Sequence, residues 1–391
     1  MVFPERFSDL PAATWPRLRA LLDVPTEASE TINMTIGEPR HAFPAFVGDI
    51  LAANLAGFGK YPANYGTDEL LDAISGFLKR RYDLDVPNDQ ILALNGTREG
   101  LYNAAMALCR EKKNGQPVIL TPNPFYQVYA VAALSVGAEP VYVPATQESG
   151  HLPDFKSLPT DILDRTAIAY ACSPANPQGA VADADYWRDL IALAEKHDFM
   201  IFADECYSEI YRDAPPPGAL EIAKQMGADP ERVLIFHSLS KRSNLPGLRS
   251  GFCAGGPESI ARLRRLRAFA GAPLPEPLQA VAAAAWDDDD HVVENRALYH
   301  QKYDVADEVF GNIKGYHGPD AGFFLWLPVV DGEEAAVRLW QEKGVRVLPG
   351  AYLSQDANGE NPGTHYIRVA MVAPTEELQR GLLLIRDCLY G

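Results

Sequence analysis

Apolar residues follow two rhythms along the chain. Short, uninterrupted runs rich in Val, Ile, Leu and Phe alternate with longer stretches whose apolar positions recur every three or four residues. The short runs predict strands at Ile32–Ile36, Ile91–Leu94, Val118–Leu120, Val141–Val143, Thr166–Cys172, Phe199–Ala203, Val233–Phe236 and Phe252–Ala254. The periodic stretches predict helices at Trp15–Leu22, Phe46–Leu55, Thr67–Tyr82, Leu101–Cys109, Phe125–Val136, Tyr186–His197 and Ile260–Phe269. Thr67 is a natural N-cap, with Asp68 and Glu69 placed to complement the dipole of the first turn. Strands that are apolar on both faces and alternate with helices predict an α/β fold with a mostly parallel central sheet covered on each side. Such sheets bind ligands at their carboxyl edge, which here gathers Asn176, Asp204 and Ser238 just past three strand ends.

From about Trp286 the rhythm changes. Asp287–Asp290 opens a long helix to Phe310, read as a solvated acidic start favoured by the dipole. Strands at Phe323–Leu327, Val345–Leu348 and Tyr366–Val369 then mix with helices at Glu333–Lys343 and Glu376–Leu389, which predicts a smaller α+β domain. The division is residues 1–47 as an N-terminal arm with part of the small domain, 48–285 as the large domain, and 286–391 as the small C-terminal domain.

Composition narrows the function. A chain of 391 residues, 47% apolar and 22% charged, can bury large cores. With 35 Lys and Arg against 52 Asp and Glu, the net charge is −17, which argues against a nucleic-acid or anionic-membrane surface. A small anionic substrate needs only a few local arginines. Cys109, Cys172, Cys206, Cys253 and Cys388 show neither paired nor zinc-type spacing, so no metal site is expected and a reducing, cytoplasmic setting is. Met1–Arg6 has no leader pattern, and no apolar run has the ~18 residues of a membrane span.

The candidate chemistry centres on His237–Gly251. A buried strand runs into Ser238-Leu239-Ser240-Lys241, and a Pro-Gly turn and Arg249 follow. A lysine at a strand end can be desolvated, which lowers its pKa and frees a nucleophilic amine. Two hydroxyls and a guanidinium beside it can hold a phosphate dianion. An imine-forming lysine next to a phosphate site points to pyridoxal phosphate. A strand that runs into Asn95-Gly96-Thr97-Arg98-Glu99-Gly100 ahead of the helix from Leu101 likewise can offer backbone N–H groups to a phosphate.

Taken together, these motifs resemble the fold-type-I pyridoxal-phosphate aminotransferases. The resemblance spans Gly37 to Arg368 and rests on Ser173-Pro174-Ala175-Asn176-Pro177-Gln178-Gly179, Asp204-Glu205-Cys206-Tyr207, and Ser238-Leu239-Ser240-Lys241 followed by Gly247-Leu248-Arg249. It implies the type I transferase fold, in which the large domain binds the cofactor. Lys241 would be the catalytic lysine, moving the proton between substrate and cofactor. Asp204 would pair with the cofactor's ring nitrogen; opposite charges about 4 Å apart attract by roughly 4 kcal/mol at an effective dielectric near 20, about three pKa units. Tyr207 and Asn176 would bond the ring hydroxyl, and Tyr126 would stack on the ring. Gly96, Thr97, Arg98, Ser238, Ser240 and Arg249 would surround the phosphate. Arg368 would clamp the substrate α-carboxylate, with Gly37 and Asn176 beside it. Tyr61 would reach the partner subunit's phosphate, which implies a homodimer acting on small amino and oxo acids.

A closer resemblance is to the bacterial N-succinyl-diaminopimelate aminotransferases of lysine biosynthesis. It rests on Gly37-Glu38-Pro39-Arg40-His41, Tyr61-Pro62-Ala63-Asn64-Tyr65-Gly66, Asn95-Gly96-Thr97-Arg98-Glu99, Pro122-Asn123-Pro124-Phe125-Tyr126-Gln127 and Lys241-Arg242-Ser243-Asn244-Leu245-Pro246-Gly247. It implies glutamate and 2-oxoglutarate as one substrate pair and N-succinyl-2-amino-6-oxopimelate as the other acceptor. Arg40 and Arg98 are the candidates for distal carboxylates. An aminotransferase for another amino acid, or a β-lyase, would use the same lysine.

Overall fold

The computed structural model describes residues 5–8, 10–357 and 359–391. Of the Met1–Arg6 start, Met1 to Pro4 lie outside the described residues. The strands, in chain order, are β1 (Ile32–Asn33), β2 (Ile91–Leu94), β3 (Val118–Asn123), β4 (Glu139–Pro144), β5 (Thr166–Cys172), β6 (Met200–Asp204), β7 (Val233–Ser238), β8 (Gly251–Gly255), β9 (Phe324–Pro328), β10 (Val345–Arg346), β11 (Leu348–Pro349) and β12 (Tyr366–Ala370). Seven of them form the central sheet in the order β2-β8-β7-β6-β5-β3-β4. Only β8 runs against its neighbours β2 and β7. The sheet is therefore mostly parallel, as the apolar runs predict. Helices pack both faces, with Leu70, Phe77, Trp187 and Trp286 in one buried cluster and Leu101, Tyr129, Tyr170 and Phe202 in another.

A third cluster joins the two ends of the chain. Leu18, Leu22, Ile32 and Met34 pack with Tyr299, Phe310, Phe323, Leu339, Ile367 and Ile385 around the antiparallel sheet β11-β12-β9. β1 pairs in parallel with β10, holding the early strand to the late segment.

Thr67 caps the helix Asp68–Tyr82, its hydroxyl accepting from Leu70 N–H at 3.3 Å. Such a cap contributes about 1 kcal/mol. Elsewhere the boundaries shift for physical reasons. The helix expected from Leu101 starts at Thr97, because Gly96 takes φ +82° and turns the chain directly from β2 into it. The run Ile32–Ile36 pairs only over Ile32–Asn33, since β10 offers only two partners. Helices Thr160–Arg165, Ala219–Met226 and Glu276–Asp287 add to those expected. The acidic run is the largely exposed start of the helix Asp290–Phe310, as expected, and it also forms the joint with the preceding helix Glu276–Asp287. Asp289 binds Arg80 Nε at 2.9 Å and the buried Arg242 at 2.7 Å, anchoring the residue next to Lys241. Among the described residues no helix is long and apolar enough to cross a membrane.

Candidate active site

The carboxyl edge of the sheet opens into a cleft of about 340 Å³. Asp204 and Ser238 reach it as the last residues of β6 and β7, Asn176 and Lys241 from just past the ends of β5 and β7, and Arg368 from the middle of β12. Gly37, Thr97, Arg98, Tyr126, Tyr207, Ser240 and Arg249 also line it. Of the sequence candidates, Gly96 lies just behind this wall. A Cβ there would meet Arg249 Nη2 at 2.1 Å, so glycine is needed both for φ and for the close approach of the guanidinium. Tyr61 is fully exposed and outside the lining of this chain's cleft. Arg40 also lies outside it, paired with Glu377 at 2.7 Å.

Burial of Lys241 lowers its ammonium pKa to about 8; Arg368 and Arg249 push the same way, while Cys206 and Glu38 oppose them. Its amine donates to the Gly37 carbonyl and stands 5.3 Å from the centre of the Phe323 ring.

Asp204 is buried, and burial raises its pKa. Its carboxylate accepts from Tyr129 O–H at 2.7 Å and from Cys206 N–H at 3.4 Å. No salt bridge reaches it among the described residues. The nearby His237 has its Nε2 2.9 Å from Glu205 Oε2. Arg368 is the opposite case. Its guanidinium donates to Thr35 O at 2.7 Å and Asn176 Oδ1 at 3.2 Å, while its buried Nε has no partner. It packs 4.2 Å from the Phe324 ring, and burial lowers its pKa to about 10. The cleft thus holds a buried carboxylate and a buried guanidinium, neither of which has a salt-bridge partner among the described residues. An unpaired buried ion is costly, so both sites suit a ligand that supplies the missing charges.

The remaining side chains form the rim. Asn176 Nδ2 donates to Tyr207 O–H at 3.4 Å. Arg98 Nε donates to Tyr126 O–H at 2.5 Å. Thr97, the first residue of its helix, puts its hydroxyl 3.2 Å from Cys206 Sγ. Arg249 donates to Pro246 O at 2.9 Å and Asn95 O at 3.4 Å, and so lies across the helix start. Ser238 caps the short helix carrying Lys241, accepting from Ser240 N–H at 3.1 Å.

These residues fit pyridoxal phosphate. Asp204 offers an anion to a protonated pyridine nitrogen, Tyr126 an aromatic face, Lys241 an amine for the aldehyde, and Arg249 with the Thr97 helix start a site for the phosphate.

Sequence reasoning did not place Tyr129, Gln127 or the arm residues Thr14 and Trp15 at the cleft. Tyr129 lies three residues beyond Tyr126, a spacing that can put two side chains on one side of a helical turn. Gln127 donates to Ala12 O at 3.0 Å and Thr14 Oγ1 at 2.7 Å, which brings Thr14 and Trp15 to the cleft. Nothing local in the sequence signals that contact.

Comparison with known proteins agrees with this geometry. The family model described as aminotransferase class I and II matches residues 29–383. The chain belongs to that family, is an aminotransferase, and has its α/β fold. The family implies pyridoxal phosphate as cofactor. Among relatives, an LL-diaminopimelate aminotransferase of Dehalococcoides mccartyi is 31% identical over 98% of this chain and 97% of its own length. An aminotransferase structure from Neisseria meningitidis is 38% identical with a TM-score of 0.93, each chain covered to 98%. A probable N-succinyldiaminopimelate aminotransferase of Thermus thermophilus is 25% identical with a TM-score of 0.85, covering 96% of this chain and 100% of that one.

Proposed function

We propose that the protein is a pyridoxal-phosphate transaminase that moves an amino group between glutamate or 2-oxoglutarate and N-succinyl-2-amino-6-oxopimelate, a reaction of diaminopimelate and lysine biosynthesis. The observation that carries the transaminase reading is the cleft's pair of buried ionisable groups without a salt-bridge partner among the described residues, Asp204 and Arg368, with the low-pKa amine of Lys241 on the same cleft.

When bound, the cofactor supplies an electron sink for the pair released from the substrate Cα–H bond. Lys241 takes the proton from Cα at Nζ and later returns it. An amine of pKa about 8 is about 9% free base at pH 7, against about 0.03% at the ordinary 10.5, so burial makes roughly 300-fold more base available. Asp204 would pair with the ring nitrogen and favour its protonated form, and Tyr129 O–H and Cys206 N–H hold the carboxylate in place. Arg368 grips the substrate α-carboxylate, oriented by Thr35 O and Asn176 Oδ1. Tyr207 and Asn176 would hydrogen-bond the ring hydroxyl, and Tyr126 would offer the ring an aromatic face. Gly96, Thr97, Arg98, Ser238, Ser240 and Arg249 would hold the phosphate, and Gly37 would close the carboxylate side. Tyr61, fully exposed, serves the site of a second copy in a homodimer.

The similarity to the Dehalococcoides enzyme, whose name specifies LL-diaminopimelate, supports a second reading in which the acceptor carries no succinyl group. Two measurements test these readings. Glutamate alone should convert the bound cofactor to its amine form and release 2-oxoglutarate; failure to do so refutes transamination, and pyruvate with ammonia from a lyase substrate would mark a β-lyase. Steady-state kcat/KM for succinylated against free diaminopimelate decides the acceptor. A preference of orders of magnitude for the free form removes the succinyl reading.

A further inference from the structure

A second buried lysine lies outside the cleft. Lys302, on the helix Asp290–Phe310, is 1% exposed, and its Nζ is 2.6 Å from His41 Nε2. Among the described residues no carboxylate pairs with it; the charged neighbour acting on it is Arg40, which is repulsive and itself tied to the half-buried Glu377. The His41 ring continues the contact, its Nδ1 2.8 Å from Asn295 Oδ1. That oxygen also accepts from Asn244 Nδ2 at 3.0 Å, while Asn295 Nδ2 donates at 3.5 Å to the carbonyls of Lys241 and Arg242. The donors around Asn295 fix its amide, and the amide fixes the histidine. Nδ1 carries the proton and Nε2 is the bare acceptor that faces Lys302.

We propose that Lys302, His41 and Asn295 are positioning residues for Lys241. Lys302 orients the His41 ring, His41 orients the Asn295 amide, and that amide holds the Lys241 backbone, while the loop that carries His41 presents the Gly37 carbonyl to the Lys241 amine. The inference rests on Lys241 being the catalytic lysine. It explains why a buried cation without an acidic partner is present at all, since burial works against its charge and brings its pKa to about 7. The rings of Tyr299 and Phe323, stacked at 5.5 Å, run between the two amines: Lys302 Nζ is 5.0 Å from the first and Lys241 Nζ 5.3 Å from the second. The charged and titratable groups around this chain are His41, Arg40 and Tyr299 at Lys302, and Cys206, Glu38, Arg368 and Arg249 at Lys241.

The test titrates the visible absorption band of the holoenzyme with pH in wild type, Lys302→Met, His41→Ala and the double variant, alongside thermal melts and glutamate kinetics. Lys302→Met should melt at a higher temperature than wild type, because an uncompensated buried charge is gone. Its band midpoint should nevertheless rise by about 0.5–1 unit, from the lost positive charge, and kcat should fall about 10-fold with KM changed less than about 2-fold. His41→Ala, which removes the acceptor of Lys302 and so disfavours its charge, together with a ring packed 4.7 Å from that of Tyr299, should shift the midpoint the same way. The double variant should move it no further than the larger single shift, since the residues act as one chain. His41→Gln, whose amide can accept from Lys302, should recover part of the shift. Wild-type midpoints and kcat in both single variants overturn the proposal, as do a lowered melting temperature for Lys302→Met and strictly additive shifts. A wild-type protein that binds cofactor without a pH-dependent band overturns the assignment of Lys241 first, and this inference with it.

Discussion

Asp204 and Arg368 line the same cleft but arrive there by different routes. Asp204 ends β6, one strand of a seven-stranded sheet, and a partner two residues away, Cys206 N–H, holds one of its oxygens. Arg368 lies within β12, between Trp326 of β9 and Leu348 of β11, and its carbonyl partner, Thr35, is 333 residues away in sequence. The anion's place follows from where a strand stops. The cation's place exists only once both ends of the chain have packed together. The sheet wall should therefore act on the chemical step, and the opposite wall on how well substrate is held.

That contrast can be broken by mutation. Asp204→Asn, which keeps the shape but removes the anion, should lower kcat by about 10³-fold, the rate equivalent of roughly 4 kcal/mol, with KM for glutamate little changed. Arg368→Lys loses the forked geometry and should raise KM for glutamate about 30- to 100-fold with a smaller effect on kcat. Steady-state kinetics check both, and a KM defect in the first with a kcat defect in the second would reverse the assignment of the walls. Tyr129→Phe removes one hydrogen bond to a buried carboxylate and should cost about 10-fold in kcat. If it behaves as wild type, Tyr129 is packing only. The smallest effect concerns stability. Lys302 has a folded pKa of about 7 against an ordinary 10.5, so its burial penalty is fully present below pH 7 and fades as pH rises towards 10.5. Thermal melts of Lys302→Met should exceed wild type by most at pH 6 and by least at pH 10.

The same contrast governs what the sequence reveals. The strand ends at Asn176, Asp204 and Ser238, the cap at Thr67 and the glycine turn at Gly96 are short-range patterns, and the structure places them at the sheet edge or helix start that those patterns predict. Arg368 had no local signal of function; only its resemblance to a family position singled it out. Tyr129, the arm at Thr14 and the contacts of Asp289 depend on partners from about 50 to more than 200 residues away, at separations of 75, 113, 209 and 47 for their hydrogen bonds. Side chains brought together by folding leave no periodicity or spacing to read. Lys302 is the sharpest instance, since in sequence it is one more lysine on a helix, and only burial beside His41 sets it apart.

The central claim is that the Lys241 amine moves the proton at the substrate Cα. The most direct measurement follows loss of the Cα hydrogen signal of glutamate in heavy water by proton NMR, with wild type and Lys241→Ala each loaded with cofactor. Wild type should exchange the hydrogen at or above its turnover rate, and Lys241→Ala should exchange it at least about 10²- to 10⁴-fold more slowly. Exchange at the wild-type rate in Lys241→Ala would contradict the account.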